Sequence, residues 1–310
     1  MSALICGSLA YDTIMVFPER FKEHILPDKI HMLNVSFLVP QMRREFGGVA
    51  GNISYNLKLL GGDPYPMATV GEDFGPYDRH MDAMGISRRY VRRLDNEFTP
   101  QAFITTDLDD NQITAFHPGA MRHSARNKVS DTEGIRIGII APDSKEAMQQ
   151  HSRDFPEAGI PHIFDPGQAM ILFDGQEMKS FIENATWVVT NDYECEILQQ
   201  RTGWSREKIA SKVEALIVTK GAEGCVVYAG DDQKEIPSAQ ADSVKDPTGC
   251  GDAFRAGLIY ALLNDYDLVT GARLGCIMGA IKVASQGPQN HKPTFKEIEH
   301  RFYEAYGYRF

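Results

Sequence analysis

Apolar and polar positions follow two different rhythms along the chain. Up to about residue 130, short apolar or alternating runs read as strands. They are the opening Ala3-Leu4-Ile5-Cys6, then Thr13-Ile14-Met15-Val16-Phe17, the segment 30–46, and the pair 98–105 and 112–116. The turn-rich Asp107-Leu108-Asp109-Asp110-Asn111 between the last two predicts a hairpin. From about Ser130, brief β-branched runs alternate with helical stretches. Ile137-Gly138-Ile139-Ile140, His162-Ile163-Phe164, Trp187-Val188-Val189 and Leu216-Ile217-Val218 each run into a polar or glycine turn and then helix. That alternation predicts βαβ units and a parallel sheet. Ligands of such sheets sit beyond the carboxyl ends of the strands. Asp165-Pro166-Gly167, Thr190-Asn191-Asp192 and Thr219-Lys220-Gly221 therefore become candidates for function.

Composition narrows the class. With 32 Lys+Arg against 42 Asp+Glu, the formal charge of −10 argues against binding nucleic acid. The longest apolar stretches, 135–141 and 253–263, are about half of the ~20 residues a membrane helix requires, so no membrane partner is expected. The start of the chain lacks the basic region of a signal peptide. Cys6, Cys195, Cys225, Cys250 and Cys276 are odd in number and widely spaced, which suggests neither a disulfide framework nor a zinc site and fits a cytoplasmic protein. No linker, repeat or low-complexity tract divides residues 1–310, so one continuous domain is expected.

Two glycine-rich turns carry the chemistry. In Asp246-Pro247-Thr248-Gly249-Cys250-Gly251-Asp252, the turn runs into an apolar helix over 253–263. The backbone N–H groups of residues 249–252 then form an anion site at a helix N-terminus. Asp252 in that place is either a general base, taking a proton from a hydroxyl that attacks bound phosphorus, or a helix cap; spacing alone leaves both open. The second turn, Phe46-Gly47-Gly48-Val49-Ala50-Gly51-Asn52, precedes a predicted helix over 53–60. Its glycines admit a ligand close to the backbone, and Asn52 can donate and accept. A GxxxxGK[ST] phosphate loop is absent, and Phe254 stands where a dinucleotide fingerprint needs its third glycine.

Together and in this order, Gly47-Gly48-Val49-Ala50-Gly51-Asn52 and Asp246 to Asp252 resemble the two signatures of the PfkB, or ribokinase-like, family. Asn191-Asp192-Tyr193-Glu194 is similar to its NxxE element and Thr219 to Gly224 to its nucleotide-site turn. Within the family, Gly7 to Asp12, residues 36–39, Phe116 to Met121 and Gly251 to Gly257 look most like bacterial adenosine kinases.

The resemblance implies an α/β fold of three αβα layers, a mostly parallel central sheet and a small β lid built from about 11–46 and 97–118. It implies an ATP-dependent adenosine kinase that phosphorylates the ribose 5′-hydroxyl. Asp252 would be the base, and Gly249, Cys250 and Gly251 the anion hole. Asp12 would accept from the 2′- and 3′-hydroxyls, with Ser8, Gly48 and Asn52 completing the sugar side. Phe103 and Phe116 would stack on the nucleoside base. Asn191, Thr219, Gly221 and Gly224 would border ATP, and Glu194 would organise Mg²⁺ through water. Asp246 matches the side-chain ligand of a monovalent cation used by several members, so K⁺ is left open. A homodimer through the lid is expected.

Some positions depart from the pattern. Cys250 is expected to be a tolerated small residue, since only backbone N–H groups are needed there. Arg255 is expected to be an ion-pair partner. Residues 285–291 follow the family's ending only loosely, and His117, His123 and His291 are expected on the surface or in the lid. The rival readings are a guanosine, inosine or cytidine kinase, a ribose or fructose kinase, and a silent nucleotide-binding protein on the same fold.

Overall fold

The computed structural model describes residues 2–25, 34–109 and 111–310. Among these, nine strands form the large sheet. They are β1 (Ser2–Cys6), β4 (Asp63–Val70), β5 (Tyr90–Arg93), β8 (Ile135–Ile140), β9 (His162–Phe164), β10 (Trp187–Asn191), β11 (Ala215–Thr219), β12 (Cys225–Ala229) and β13 (Asp232–Ile236). Their order is β13, β12, β11, β10, β9, β8, β1, β4, β5, antiparallel only in the β11–β12 and β12–β13 pairs. The smaller sheet takes β2 (Ala10–Val16), β3 (Gln41–Gly47), β6 (Gln101–Thr106) and β7 (Gln112–His117) in the order β3, β2, β6, β7.

The helices are α1 (Phe21–His24), α2 (Val49–Leu59), α3 (Gly75–Met84), α4 (Lys145–Glu157), α5 (Gly175–Asn184), α6 (Asp192–Thr202), α7 (Arg206–Ala210), α8 (Cys250–Leu263), α9 (Leu268–Val283) and α10 (Phe295–Tyr306). Because side chains alternate across a strand, each central strand feeds two cores. Leu4, Ile140, Phe164, Val188 and Leu216 pack against α4, α5, α6 and α7 on one face. Ile5, Ile139, Ile163, Val189 and Ile217 pack against α2, α8 and α9 on the other. The result is the expected three-layer arrangement with a separate β lid.

Two boundaries differ from the sequence pattern. Helix α2 begins at Val49 rather than 53, because Ser8 satisfies its first donors: Oγ accepts from Val49 N at 3.2 Å, and the carbonyl accepts from Ala50 N at 3.0 Å and Gly51 N at 3.4 Å. The strand expected over 30–46 is confined to Gln41–Gly47, residues 34–40 having no regular structure and 30–33 lying outside the described residues. Phe37 there packs its ring at a tilt against Phe17 and Phe21, with centroids 4.7 and 5.0 Å away, and Pro40 has no N–H for a ladder.

Candidate active site

The C-terminal ends of β1, β9, β10 and β11 gather the predicted residues. Helix α8 starts at Cys250 behind Gly249, whose φ of +79° is a left-handed conformation that glycine adopts without strain. A Cβ there would also lie 2.9 Å from Pro288 Cβ. No side chain caps this helix, so Asp252 is not its cap. Instead its Oδ2 accepts from Asn52 Nδ2 at 2.8 Å, across from α2. Burial pushes the Asp252 carboxyl above the usual carboxylate range, while the Arg255 guanidinium and the Asn52 amide pull it back. Cys250 has its thiol pushed up to about 11 by burial, so it stays protonated and is a poor nucleophile.

Asp12 lies on the lid strand β2, within electrostatic reach of Asp252. Burial, the Asp252 charge, Glu45 and Asp246 together raise its carboxyl to about 6. Gly47 must be small, since a Cβ would stand 2.4 Å from Asp12 Oδ2, and Gly48 has φ +81° against Ser8 and Ala10 backbone. Register separates the two lid aromatics. Asp12 pairs with Ala102 and Ala102 with Phe116, which places Phe116 on the face of Asp12. Phe103 pairs with Thr13 and Ala115, one position along, and so projects from the opposite face. Phe103 thus does not share the Asp12 face with Phe116. Ser8 is engaged at the start of α2. Asn52 is held on both sides, its Nδ2 donating to Asp252 and its Oδ1 accepting from Gln289 Nε2 at 2.9 Å.

Gln289 was not singled out from sequence. Besides Asn52 it donates to Tyr77 Oη at 2.8 Å, and that hydroxyl donates to Gly47 O at 2.8 Å, linking Asp252 through Asn52 to the Gly47–Gly48 turn. Glu45, also missed, faces the site beside Asp12 and accepts from Asn290 Nδ2 at 2.8 Å.

On the opposite side, Asn191 and Glu194 form a reciprocal cap on α6. Asn191 Oδ1 accepts from Glu194 N at 2.7 Å, and Glu194 Oε2 from Asn191 N at 2.8 Å. Thr219 pairs with Asn191 in register, and Gly221 and Gly224 follow with φ +56° and +97°. Arg255 is an ion-pair partner as expected: its Nη2 donates to Asp165 Oδ1 at 2.7 Å and lies 4.0 Å from Glu194 Oε2. Burial pushes Asp165 up to about 7 against the pull of that guanidinium. Asp246 accepts from Thr248 N at 2.9 Å and Gly287 N at 2.8 Å. These amides hold it below the ordinary range although burial works the other way.

His291 is corrected from surface to core. It is 3% exposed, its Nε2 lies 2.7 Å from Asn56 Oδ1, and burial lowers it to about 4. A cleft of about 1230 Å³ opens beside Ser285, between Ser238, Ala241, Ile277, Ile281 and Arg301.

Among the described residues no three His, Cys, Asp or Glu side chains are grouped to hold a metal ion. The donor set nevertheless suits Mg²⁺, which keeps several waters and is completed by substrate phosphates. Glu194 spends only Oε2 on its cap.

A mostly parallel sheet with a small β lid, and a glycine turn entering a buried helix, are features of the ribokinase-like fold, whose kinases act on an alcohol with ATP as co-substrate. The profile of pfkB family carbohydrate kinases matches residues 8–294, and the chain belongs to that family. It is 31% identical over 270 residues to a nucleoside kinase of Methanocaldococcus jannaschii, covering 86% of this chain and 89% of that one. A nucleoside kinase of Burkholderia thailandensis, solved in complex with inosine, superposes with a TM-score of 0.91 at 52% identity over 99% of both chains. A ribokinase from Thermotoga maritima, at 19% identity, 97% and 99% coverage and TM-score 0.82, shares the fold.

Asp12 gives a pH-dependent stability prediction. Its folded-state value of about 6 exceeds its ordinary 3.8, so its favourable contribution is complete only below 3.8 and is lost as pH rises through 6. Asp12→Asn should therefore be more stable than wild type by about 1–3 kcal/mol near pH 8, the gain falling by about half near pH 5. Urea unfolding at both pH values checks this; an equal gain at both would contradict it.

Proposed function

We propose that the protein transfers the γ-phosphoryl group of ATP to the 5′-hydroxyl of a purine nucleoside, with adenosine as the expected acceptor. The observation that carries this reading is the pair of carboxylates, Asp12 on the lid and Asp252 in the first turn of α8, close enough that the Asp252 charge helps raise the Asp12 carboxyl. Asp12 accepts hydrogen bonds from the vicinal 2′- and 3′-hydroxyls, whose two donors match its two oxygens. Asp252 takes the 5′-hydroxyl proton as that oxygen bonds to phosphorus and the bond from phosphorus to the bridging oxygen breaks, leaving ADP. The N–H groups of residues 249–252 receive the transferred group. Mg²⁺, organised by Glu194, supplies charge neutralisation when bound with ATP.

Asn191, Thr219, Gly221 and Gly224 border the donor phosphates, and the cleft beside Ser285 takes the donor's base. Phe116, half exposed on the face of Asp12, offers a stacking surface to the acceptor's base. Inosine is a second reading of the acceptor, favoured by the inosine complex of the Burkholderia relative.

A homodimer through the lid belongs to the same reading. The face turned away from Asp12 carries Met42, Met15, Phe103 and Ile113 across all four strands, with Met42, Phe103 and Ile113 exposed. Sedimentation should give a dimer for wild type and a monomer for the double variant Phe103→Asp, Ile113→Asp; a monomeric wild type contradicts the assignment.

Product analysis tests the chemistry. With MgATP and a panel of adenosine, inosine, guanosine, cytidine, ribose and fructose, the 5′-monophosphate of a purine nucleoside should dominate by kcat/KM. Asp252→Asn should lower kcat by about a thousandfold while acceptor Kd stays within about threefold. Activity within about tenfold of wild type would remove the base from Asp252, and preference for a free sugar would remove the nucleoside.

A further inference from the structure

The monovalent cation implied beside the anion hole meets a competitor from this chain. Lys282, in the last turn of α9, is 0% exposed in an otherwise apolar stretch of helix. Its Nζ donates to Asp246 O at 2.7 Å and to Ser285 O at 3.1 Å. Among the described residues it forms no ion pair within 4.0 Å, so this ammonium is held by carbonyl oxygens, the ligand type a K⁺ ion would use. The Asp246 carboxylate, expected as the side-chain ligand, is already engaged on both oxygens by Thr248 N and Gly287 N. An ion added here would meet a like charge and oxygens with partners.

We propose that the Lys282 ammonium is a built-in cation of this kinase, standing in for the monovalent ion beside the anion hole and making phosphoryl transfer independent of K⁺. The inference rests on the phosphotransfer reading above. Its structural effect is to clamp two segments together. Lys245 N and Asp246 N donate to Val283 O at 2.8 and 3.2 Å, and Lys282 closes the same junction from the helix side. The turn that leads from Asp246 into Gly249 is thereby fixed, and with it the N–H groups that receive the phosphoryl group. Lys282 is thus a positioning residue. Without a cation, the half-buried Ser285 carbonyl would lose this donor and the Asp246 carbonyl would keep only the weak Cys250 thiol at 4.0 Å, which is costly.

The test compares KCl, NaCl and tetramethylammonium chloride at equal ionic strength. Wild-type kcat and KM should agree within about twofold across the three salts. A K⁺ requirement of about tenfold or more would overturn the proposal. Lys282→Met, which keeps the apolar stem, should lose about a hundredfold in kcat and regain much of it with K⁺ or NH₄⁺ but not with tetramethylammonium. A folded variant that loses activity but ignores K⁺ would also overturn it, since Lys282 would then be only a structural tie.

Thermal melting reads the site without turnover. K⁺ should raise the Tm of Lys282→Met and leave wild type unchanged relative to tetramethylammonium. A K⁺-specific rise in wild type contradicts the inference even if the variant does not fold. Failure of every acceptor in every salt would instead count against the phosphotransfer reading, and the melting arm would still decide the role of Lys282.

Discussion

Confining negative charge is the constraint on which the rest of this structure depends. Asp12, Glu45, Asp165, Glu194, Asp246 and Asp252 converge at the C-terminal edge of the sheet, and several raise one another's proton affinity. Two buried cations hold the set together. Arg255 pairs with Asp165 and reaches toward Glu194, and Lys282 caps the carbonyls at Asp246 and Ser285. Backbone amides do the remainder, at Asp246 and in the Asn191–Glu194 cap. Asp165, Glu194, Asp246 and Asp252 each have a guanidinium or amide partner, which offsets part of that repulsion before a triphosphate arrives.

The fold supplies this arrangement by stacking strand ends. Parallel strands bring Asp165, Asn191 and Thr219 to one edge, and the α8 N-terminus adds its N–H groups from the helix layer. The lid strands carry Asp12 and Glu45, so on the proposed reading an acceptor would lie between lid and α8. The chain Asp252, Asn52, Gln289, Tyr77, Gly47 ties Asp252 to the turn that follows the lid strand β3. Asp252 and the lid are thus mechanically coupled through side chains, which suits the proposed reaction, in which water must be excluded as the acceptor closes in.

Much of this was legible in the chain. The β-branched runs located the central strands, and Asp246 to Asp252 announced a glycine turn entering a buried helix. What was hidden depends on long-range register. Phe103 and Phe116 look equivalent in sequence, and only the pairing of β2, β6 and β7 shows that they face opposite ways. The early start of α2 depends on Ser8, about forty residues before it. Gln289 finds Asn52 across 237 positions, beyond any local pattern. His291 sits in a polar run that reads as surface, yet Asn56 and Tyr55 enclose it. Lys282 alone left a local signal, a single charge near the end of an otherwise apolar helix, but its meaning required the carbonyls it meets.

The central claim is a division of labour between two carboxylates, Asp12 binding the acceptor and Asp252 taking its proton. The pH profiles of kcat/KM and kcat for wild type and Asp12→Asn, with a purine nucleoside, test this most directly. The account predicts an acid limb in wild-type kcat/KM near 6 that is lost in the variant, while the acid limb of kcat, set by Asp252, remains. Both limbs unchanged in the variant, or both abolished together, would contradict it.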